Sequence, residues 1–167
     1  MRIMNRVSGS SDVKLLECVN PRKNKWHLRW DVVIDNDGNA SYMEKVLDHK
    51  PTLDEIKEII FSWHNSVIDQ KILSGYEWKG MKVWLSAENQ FNYKAAYDLA
   101  VQMPELLLPV KFKFGTTTAP EYYIFNTIEE LSEFYIGSVI YMNTTLNSGW
   151  DSKDNNPWPT YEALLQE

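Results

Sequence analysis

The chain has a single cysteine, Cys18, among its 167 residues. One thiol cannot form an internal disulfide, so the sequence excludes the class of small secreted proteins that disulfides hold together. The N-terminal segment also lacks the continuous apolar core of a signal peptide. Both absences favour a protein made in, and adapted to, a reducing compartment.

Long hydrophobic runs and excess positive charge are missing as well. No apolar run approaches the roughly 20 residues that cross a bilayer, so we expect no membrane partner. The chain has 17 Lys and Arg against 23 Asp and Glu, with a net charge of −6. An acidic chain without a basic run interleaved with aromatics repels phosphate backbones, and we therefore expect no nucleic-acid partner.

The residue patterns of known catalytic and metal sites are also absent. The three histidines, His27, His49 and His64, have no close helical or Cys/His spacing of the kind that zinc requires. No P-loop, dinucleotide fingerprint, nucleophile elbow or metalloprotease helix occurs. We expect no catalytic residue, no metal, no cofactor and no enzymatic activity. An enzyme acting on cell-wall or capsule polymers would need paired carboxylates in a cleft, and spacing does not show which carboxylates converge.

The N-terminal third has the turn and alternation pattern of a small antiparallel sheet. Residues 1–12 are polar and predict a flexible leader or a strand-adding arm. Residues 13–50 predict a three-stranded β-meander, with strands over 13–19, 25–34 and 40–47. In the middle strand, Trp, Leu, Val and Ile recur at every second position through its last residue. We expect that whole face to be buried.

The remainder alternates helical patterns with short hairpins. The three helices begin at the capping residues Thr52, Ser86 and Thr127, and the last is expected to end near Gly149. Hairpins are predicted over 76–85 and 109–125.

The predicted class is therefore α+β. The N-terminal three-stranded antiparallel meander is followed by three amphipathic helices interspersed with short β-hairpins. The helical domain is expected over 51–150, and residues 151–167 are expected to be an irregular C-terminal tail, docked or flexible.

Seven tryptophans give the chain its strongest candidate recognition residues. Trp78, Trp150 and Trp158 lie at hairpin or tail positions, where an indole can remain exposed and take part in binding. The other four lie at core-facing periods, and we expect them to be buried: Trp26, Trp30, Trp63 and Trp84.

Short motifs beyond residue 73 carry a resemblance. They are Gly-Tyr-Glu-Trp-Lys-Gly at 75–80, the helix over 89–103, the Thr127-led helix with Leu131 and Tyr135, and Gly149-Trp150 followed by Lys153-Asp154. Over about residues 73–155 the chain resembles a phage and prophage domain family of unknown function, found in tail-fibre-associated and other tail-region proteins. It departs from that family at Asn155-Asn156-Pro157, which interrupts the place where a further helix often follows.

The resemblance implies a non-enzymatic protein of the virion tail region, structural or engaged in assembly, that acts through protein–protein surfaces. Its implied partners are other phage structural proteins or further copies of itself. Its implied location is the virion or the bacterial host cytoplasm. The alternative is a glycan-binding module that recognises a host surface polysaccharide through the three tryptophans Trp78, Trp150 and Trp158.

Overall fold

The computed structural model describes residues 6–167 and confirms the α+β class. The chain divides into two units: Met1–Trp63 with Asn155–Glu167, here called the sheet unit, and His64–Asp154, here called the hairpin unit. This division lies within the first long helix, whereas the sequence pattern suggested a boundary at residue 50. Within residues 6–167, no helix is both long and apolar enough to span a membrane.

The sheet unit contains the predicted meander and one additional strand. All neighbouring strands are antiparallel, in the order β1-β4-β3-β2. The strands are β1 (Arg6–Gly9), β2 (Leu16–Asn20), β3 (Lys25–Ile34) and β4 (Ala40–Leu47).

The additional strand, β1, lies in the segment for which the sequence left a flexible leader and a strand-adding arm open, and residues 6–9 are not a flexible leader. Residues 6–9 pair with β4, and the first five residues of the predicted leader lie outside the described part of the chain. The Arg6 guanidinium donates to the carbonyl oxygens of Asp31, at 3.0 Å, and of Ser41, at 3.2 Å. It also forms an ion pair with the Asp31 carboxylate. One arginine thus links β1 to its neighbour β4 and to β3 beyond it.

A bulge in β3 overturns the expectation of one continuous buried face. The pairing of β3 with β4 shifts by one residue between Trp30 and Val33, and Asp31 has a φ of 52°. Asp tolerates this left-handed conformation better than most residues. Beyond the bulge, Val32 and Ile34 are 37% and 56% exposed, so they do not continue the apolar face of Trp30.

The first long helix, α1 (Leu53–Ser74), begins as predicted. The Thr52 hydroxyl accepts a hydrogen bond from the Glu55 amide at 3.2 Å. The Glu55 carboxylate lies 2.8 Å from His49 Nε2, so this carboxylate is engaged by a side chain from the preceding loop. The helix packs Ile56 and Ile60, both fully buried, against the sheet core.

The C-terminal tail is docked, but it is a helix and not the irregular strap that the sequence predicted. The helix, α5 (Trp158–Gln166), follows the interruption at Asn155-Asn156-Pro157. Tyr161 is fully buried in the core of the sheet unit, and its hydroxyl donates to the Arg29 carbonyl oxygen at 2.7 Å. Burial raises the pKa of the Tyr161 phenol.

The hairpin unit holds both predicted hairpins and the remaining helices. The hairpins are two separate two-stranded antiparallel sheets. In chain order the elements are β5 (Tyr76–Trp78), β6 (Met81–Val83), α2 (Ala87–Gln102), α3 (Pro104–Leu107), β7 (Val110–Gly115), β8 (Pro120–Phe125) and α4 (Ile128–Asp154).

The predicted caps of α2 and α4 are confirmed. The Ser86 hydroxyl accepts from the Asn89 amide, and the Thr127 hydroxyl accepts from the Glu130 amide, both at 3.3 Å. The Glu130 carboxylate accepts from Lys79 Nζ at 2.7 Å, which ties the β5–β6 turn to α4. The helix α4 passes the expected end at residue 149 and ends at Asp154.

An aromatic cluster forms the core of the hairpin unit. Phe134 of α4 is fully buried at its centre. Its ring centroid lies between 5.0 and 6.1 Å from those of six other rings, namely Tyr76, Trp78, Tyr93, Phe112, Phe114 and Phe125.

We expect Tyr161→Phe to lower the free energy of unfolding by about 1–2 kcal/mol, because the Arg29 carbonyl oxygen loses a buried donor. Tyr161→Ala also removes the ring, and we expect a loss of about 3–5 kcal/mol. Glu162→Ala, at the exposed neighbouring position, is the control and should change stability by less than about 0.5 kcal/mol. Urea unfolding followed by circular dichroism measures all three. Equal losses for the two Tyr161 variants would contradict the anchoring role of the ring.

Candidate functional site

Two histidines of the sheet unit are paired with carboxylates. Among residues 6–167, no three His, Cys, Asp or Glu side chains form a group that could hold a metal ion. His27 Nδ1 lies 2.9 Å from Glu44, and His49 lies 2.9 Å from Asp48 and 2.8 Å from Glu55. Hydrogen bonds to Asp48 and Glu55 raise the pKa of His49. These two histidines therefore act as partners of acidic side chains.

Arg29 on β3 carries the most buried charge among residues 6–167, with 6% of its surface exposed. Its Nε donates to Glu44 at 2.8 Å, and its Nη1 donates to Glu17 at 3.0 Å and to the Lys14 carbonyl oxygen at 2.9 Å. The guanidinium carbon lies 5.6 Å from the centroid of the Tyr42 ring. Because these partners belong to the sheet unit itself, the arrangement clamps neighbouring strands together and leaves little of this cation for a ligand.

One of the three predicted binding tryptophans, Trp78, is in the core. It is 6% exposed, and its ring packs edge-on against Phe134 at 5.5 Å. The reason is local: Tyr76 and Trp78 occupy the inward positions of β5, while Glu77 between them is exposed. Trp78 therefore supplies packing area to the aromatic cluster, and the expectation that it is exposed was wrong.

The other two predicted tryptophans differ from each other. Trp158 is half-buried on α5, with its ring 5.4 Å from Phe61 and 6.0 Å from Tyr161. Trp150, near the end of α4, is 53% exposed. The three do not form a joint surface, because Trp78 is buried and Trp158 is engaged in packing.

A tryptophan that the sequence analysis assigned to the core is exposed instead. Trp84 follows β6 and is 48% exposed, whereas Val83 and Leu85 on either side are each 1% exposed. The signal was present in the sequence, since two apolar neighbours at alternate positions place the residue between them on the opposite face. The large apolar ring of Trp84 favoured the prediction of a buried residue over that pattern.

The sheet unit has an unpaired edge. Among residues 6–167, no further strand pairs with the outer side of β1, and all four of its residues are exposed. We call β1 the open edge. Unpaired amide and carbonyl groups of an edge strand are a template for another extended chain.

Exposed apolar residues end β3 at the level of the ladder that the open edge also reaches. We call Val32, Val33 and Ile34 the hairpin end, and all three are exposed. Ser8 of β1 pairs with Ser41 of β4, and Ser41 pairs in turn with Val33. The open edge and the hairpin end are therefore two strands apart on one sheet.

Comparisons of the chain with protein-family models, with curated proteins and with solved structures give no match. The resemblance of residues 73–155 to a phage and prophage domain family accordingly stays a prediction. Functional inference rests on the geometry of the two units.

We expect Glu44→Gln to lower the free energy of unfolding at neutral pH by about 2 kcal/mol, because a charged hydrogen bond to buried Arg29 is weakened. Burial disfavours the Glu44 carboxylate, but hydrogen bonds from Arg29 and His27 outweigh that effect and hold its pKa below the usual value. A lowered folded-state pKa stabilises the fold above the unfolded-state pKa of about 4.3, and this contribution is lost as pH falls through the folded-state pKa.

Urea midpoints measured from pH 7 down to pH 3 test this assignment. The unmodified protein should lose more stability on acidification than Glu44→Gln does. Glu17→Gln is the matched control, because the Glu17 side chain is 45% exposed and contacts the same guanidinium. Parallel acid profiles for the unmodified protein and Glu44→Gln would contradict the role of this carboxylate.

Proposed function

We propose that this chain is a non-enzymatic phage or prophage protein of the virion tail region, structural or engaged in assembly, which acts through protein–protein surfaces. The observation that carries the proposal is the open edge, with the apolar hairpin end two strands away on the same sheet. The resemblance of residues 73–155 supplies the phage context.

The open edge suits the addition of an extended segment from a neighbouring subunit. Such a segment gains main-chain hydrogen bonds from the edge and side-chain contacts from apolar residues nearby. The strand β1 is held in place by Arg6, so the edge is formed before a partner arrives. A preformed edge avoids part of the ordering cost of association.

The hairpin end supplies the apolar contacts that such an association needs. Val33 is 50% exposed and Ile34 is 56% exposed, and both follow the bulge at Asp31. Isolated exposed apolar residues are normal on protein surfaces, whereas three consecutive exposed apolar residues two strands from an unpaired edge favour association. The proposed occupant is an extended segment of another phage structural protein or of a second copy of this chain.

The glycan-binding alternative has less support in the form that the sequence suggested. Of its three tryptophans, Trp78 is buried and Trp158, the first residue of α5, packs against Tyr161. Of the three, Trp150 alone has an exposed ring. A single tryptophan on a helix offers one stacking face and no enclosing walls. Protein–protein association through the sheet is therefore the function that the geometry favours.

Fractionation of particles tests the proposed function. A tagged copy of the full chain is expressed in cells that produce the parent particle, and lysates are separated on a density gradient. We expect the chain to sediment with tail-containing particles or with their assembly intermediates, as detected by mass spectrometry. A chain that stays with unassembled proteins throughout particle production would overturn the proposal.

A pair of lysine substitutions tests which surface is used. We expect Val33→Lys to reduce the amount of chain in the particle fraction by about tenfold, since burying an unpaired ammonium opposes association by at least about 1.4 kcal/mol. Val46→Lys is the control, because Val46 is 51% exposed on the same sheet but pairs with His27, away from the hairpin end. Equal particle fractions for both variants would show that the hairpin end takes no part.

A further inference from the structure

The hairpin unit contains an open cleft with a volume of about 440 Å³. This volume lies in the range of about 300–1,000 Å³ that small-molecule sites occupy. Its walls come from β6, the start of α2, β7 and the β7–β8 loop. The side chains that could face a ligand are Lys82, Trp84, Asn89, Lys113, Thr116 and Thr117.

We propose that this cleft is a binding site for acidic saccharides, in which the Trp84 indole stacks on a sugar ring and Lys82 and Lys113 pair with sugar carboxylates. The site was not among the predicted tryptophan positions. It lies wholly within the hairpin unit, whereas the open edge belongs to the sheet unit. The inference is therefore independent of the proposed function.

Trp84 is held in place while its ring stays accessible. Val83 and Leu85 on either side are buried, and the Asn89 side-chain amide donates to the Trp84 carbonyl oxygen at 2.7 Å. Among the described residues, no other aromatic ring packs on this indole, unlike Trp78 in the same unit. An indole face carries negative quadrupolar charge, which suits the weakly positive C–H groups on the face of a pyranose ring.

The charge of the cleft favours an anionic sugar over a neutral one. Lys82 and Lys113 are both exposed, and in the part of the chain that the structure describes neither has an ion-pair partner within 4.0 Å. Glu77 stands opposite Lys82 in the β5–β6 register without forming such a pair. No Asp or Glu is among the residues that line the cleft. Two ammonium groups between partly apolar walls create a local positive potential in a chain whose net charge is −6.

Hydroxyl and amide groups at the rim provide the neutral hydrogen bonds that sugars need. Thr117, Ser74 and Asn89 line the cleft, and their side chains offer both donors and acceptors. The rim loop is ordered by its own contacts, because the Ala119 amide donates to the Thr116 hydroxyl at 3.1 Å and the Thr116 amide donates to the Ala119 carbonyl oxygen at 3.0 Å. Gly115, at a φ of 81°, begins this turn in a conformation that glycine adopts readily.

Isothermal titration calorimetry of the full chain with tetragalacturonate tests the proposal, with maltotetraose as the neutral probe. We expect tetragalacturonate to bind at least about tenfold more tightly than maltotetraose. Its affinity should fall as salt is raised, because the lysine–carboxylate pairs are exposed to solvent. Equal affinity for the two probes, or no binding of tetragalacturonate, would overturn the proposal.

Matched variants assign the binding to the cleft. We expect Trp84→Ala to weaken tetragalacturonate binding at least about tenfold, whereas Trp84→Phe keeps a stacking ring and should weaken it less. Trp150→Ala is the control, because Trp150 has a comparable exposed fraction of 53% and does not line the cleft. Circular dichroism checks that each variant is folded. A loss of binding in Trp150→Ala with none in Trp84→Phe or Trp84→Ala would place the ligand elsewhere and overturn the assignment.

Lysine variants test the charge. Lys82→Ala and Lys113→Ala should each weaken tetragalacturonate binding by about tenfold and leave maltotetraose unaffected. Lys111→Ala is the control, since Lys111 lies on the same strand as Lys113 but its ammonium contacts the Tyr122 ring at 5.3 Å. Tighter binding of adenosine monophosphate than of tetragalacturonate, lost in the same variants, would assign the cleft to nucleotides and overturn the saccharide class.

Discussion

The packing of rings around Phe134 is the constraint on which the hairpin unit depends. The two hairpins have only two strands each, and such hairpins are marginal unless their apolar faces are covered. Phe134 presents one fully buried ring from α4 to both hairpins and to α2. The walls of the Trp84 cleft, which come from β6, β7 and α2, therefore share a core centred on a side chain that does not itself line the cleft.

The core of the sheet unit contains a buried ion pair as well as apolar side chains. One face of β3 supplies Leu28 and Trp30 to the core, while Arg29 between them is buried against Glu44 and Glu17. Removing either partner from a buried ion pair leaves an uncompensated charge, so the pair specifies how the strands align even if it adds little net stability. The contacts between β2, β3 and β4 thus include complementary charges as well as apolar packing against α1 and α5.

The sequence predicted those features that local chemistry decides. Thr52, Ser86 and Thr127 mark helix starts correctly, because a hydroxyl at that position accepts an amide of the first helical turn. The bulge at Asp31 was missed, because it depends on pairing with β4 and on the distant Arg6. The prediction that Trp84 is buried was wrong, because the alternation of buried and exposed side chains, and not the size of the ring, decides which face it lies on. Alternation separates the two residues, since Trp78 lies at an inward position of β5 and Trp84 lies between the buried Val83 and Leu85.

The tryptophans range from fully enclosed to half-exposed, which bears on the fluorescence of the protein. Trp30 and Trp78 are enclosed by protein atoms, whereas Trp84 and Trp150 have about half of their surface in contact with solvent. Emission from the enclosed pair is shielded from dissolved quenchers, and emission from the solvated pair is open to collision with them. Each unit also contributes one of the enclosed rings, Trp30 in the sheet unit and Trp78 in the hairpin unit. Intrinsic fluorescence therefore contains contributions from the interior of each unit and from the surface of the hairpin unit.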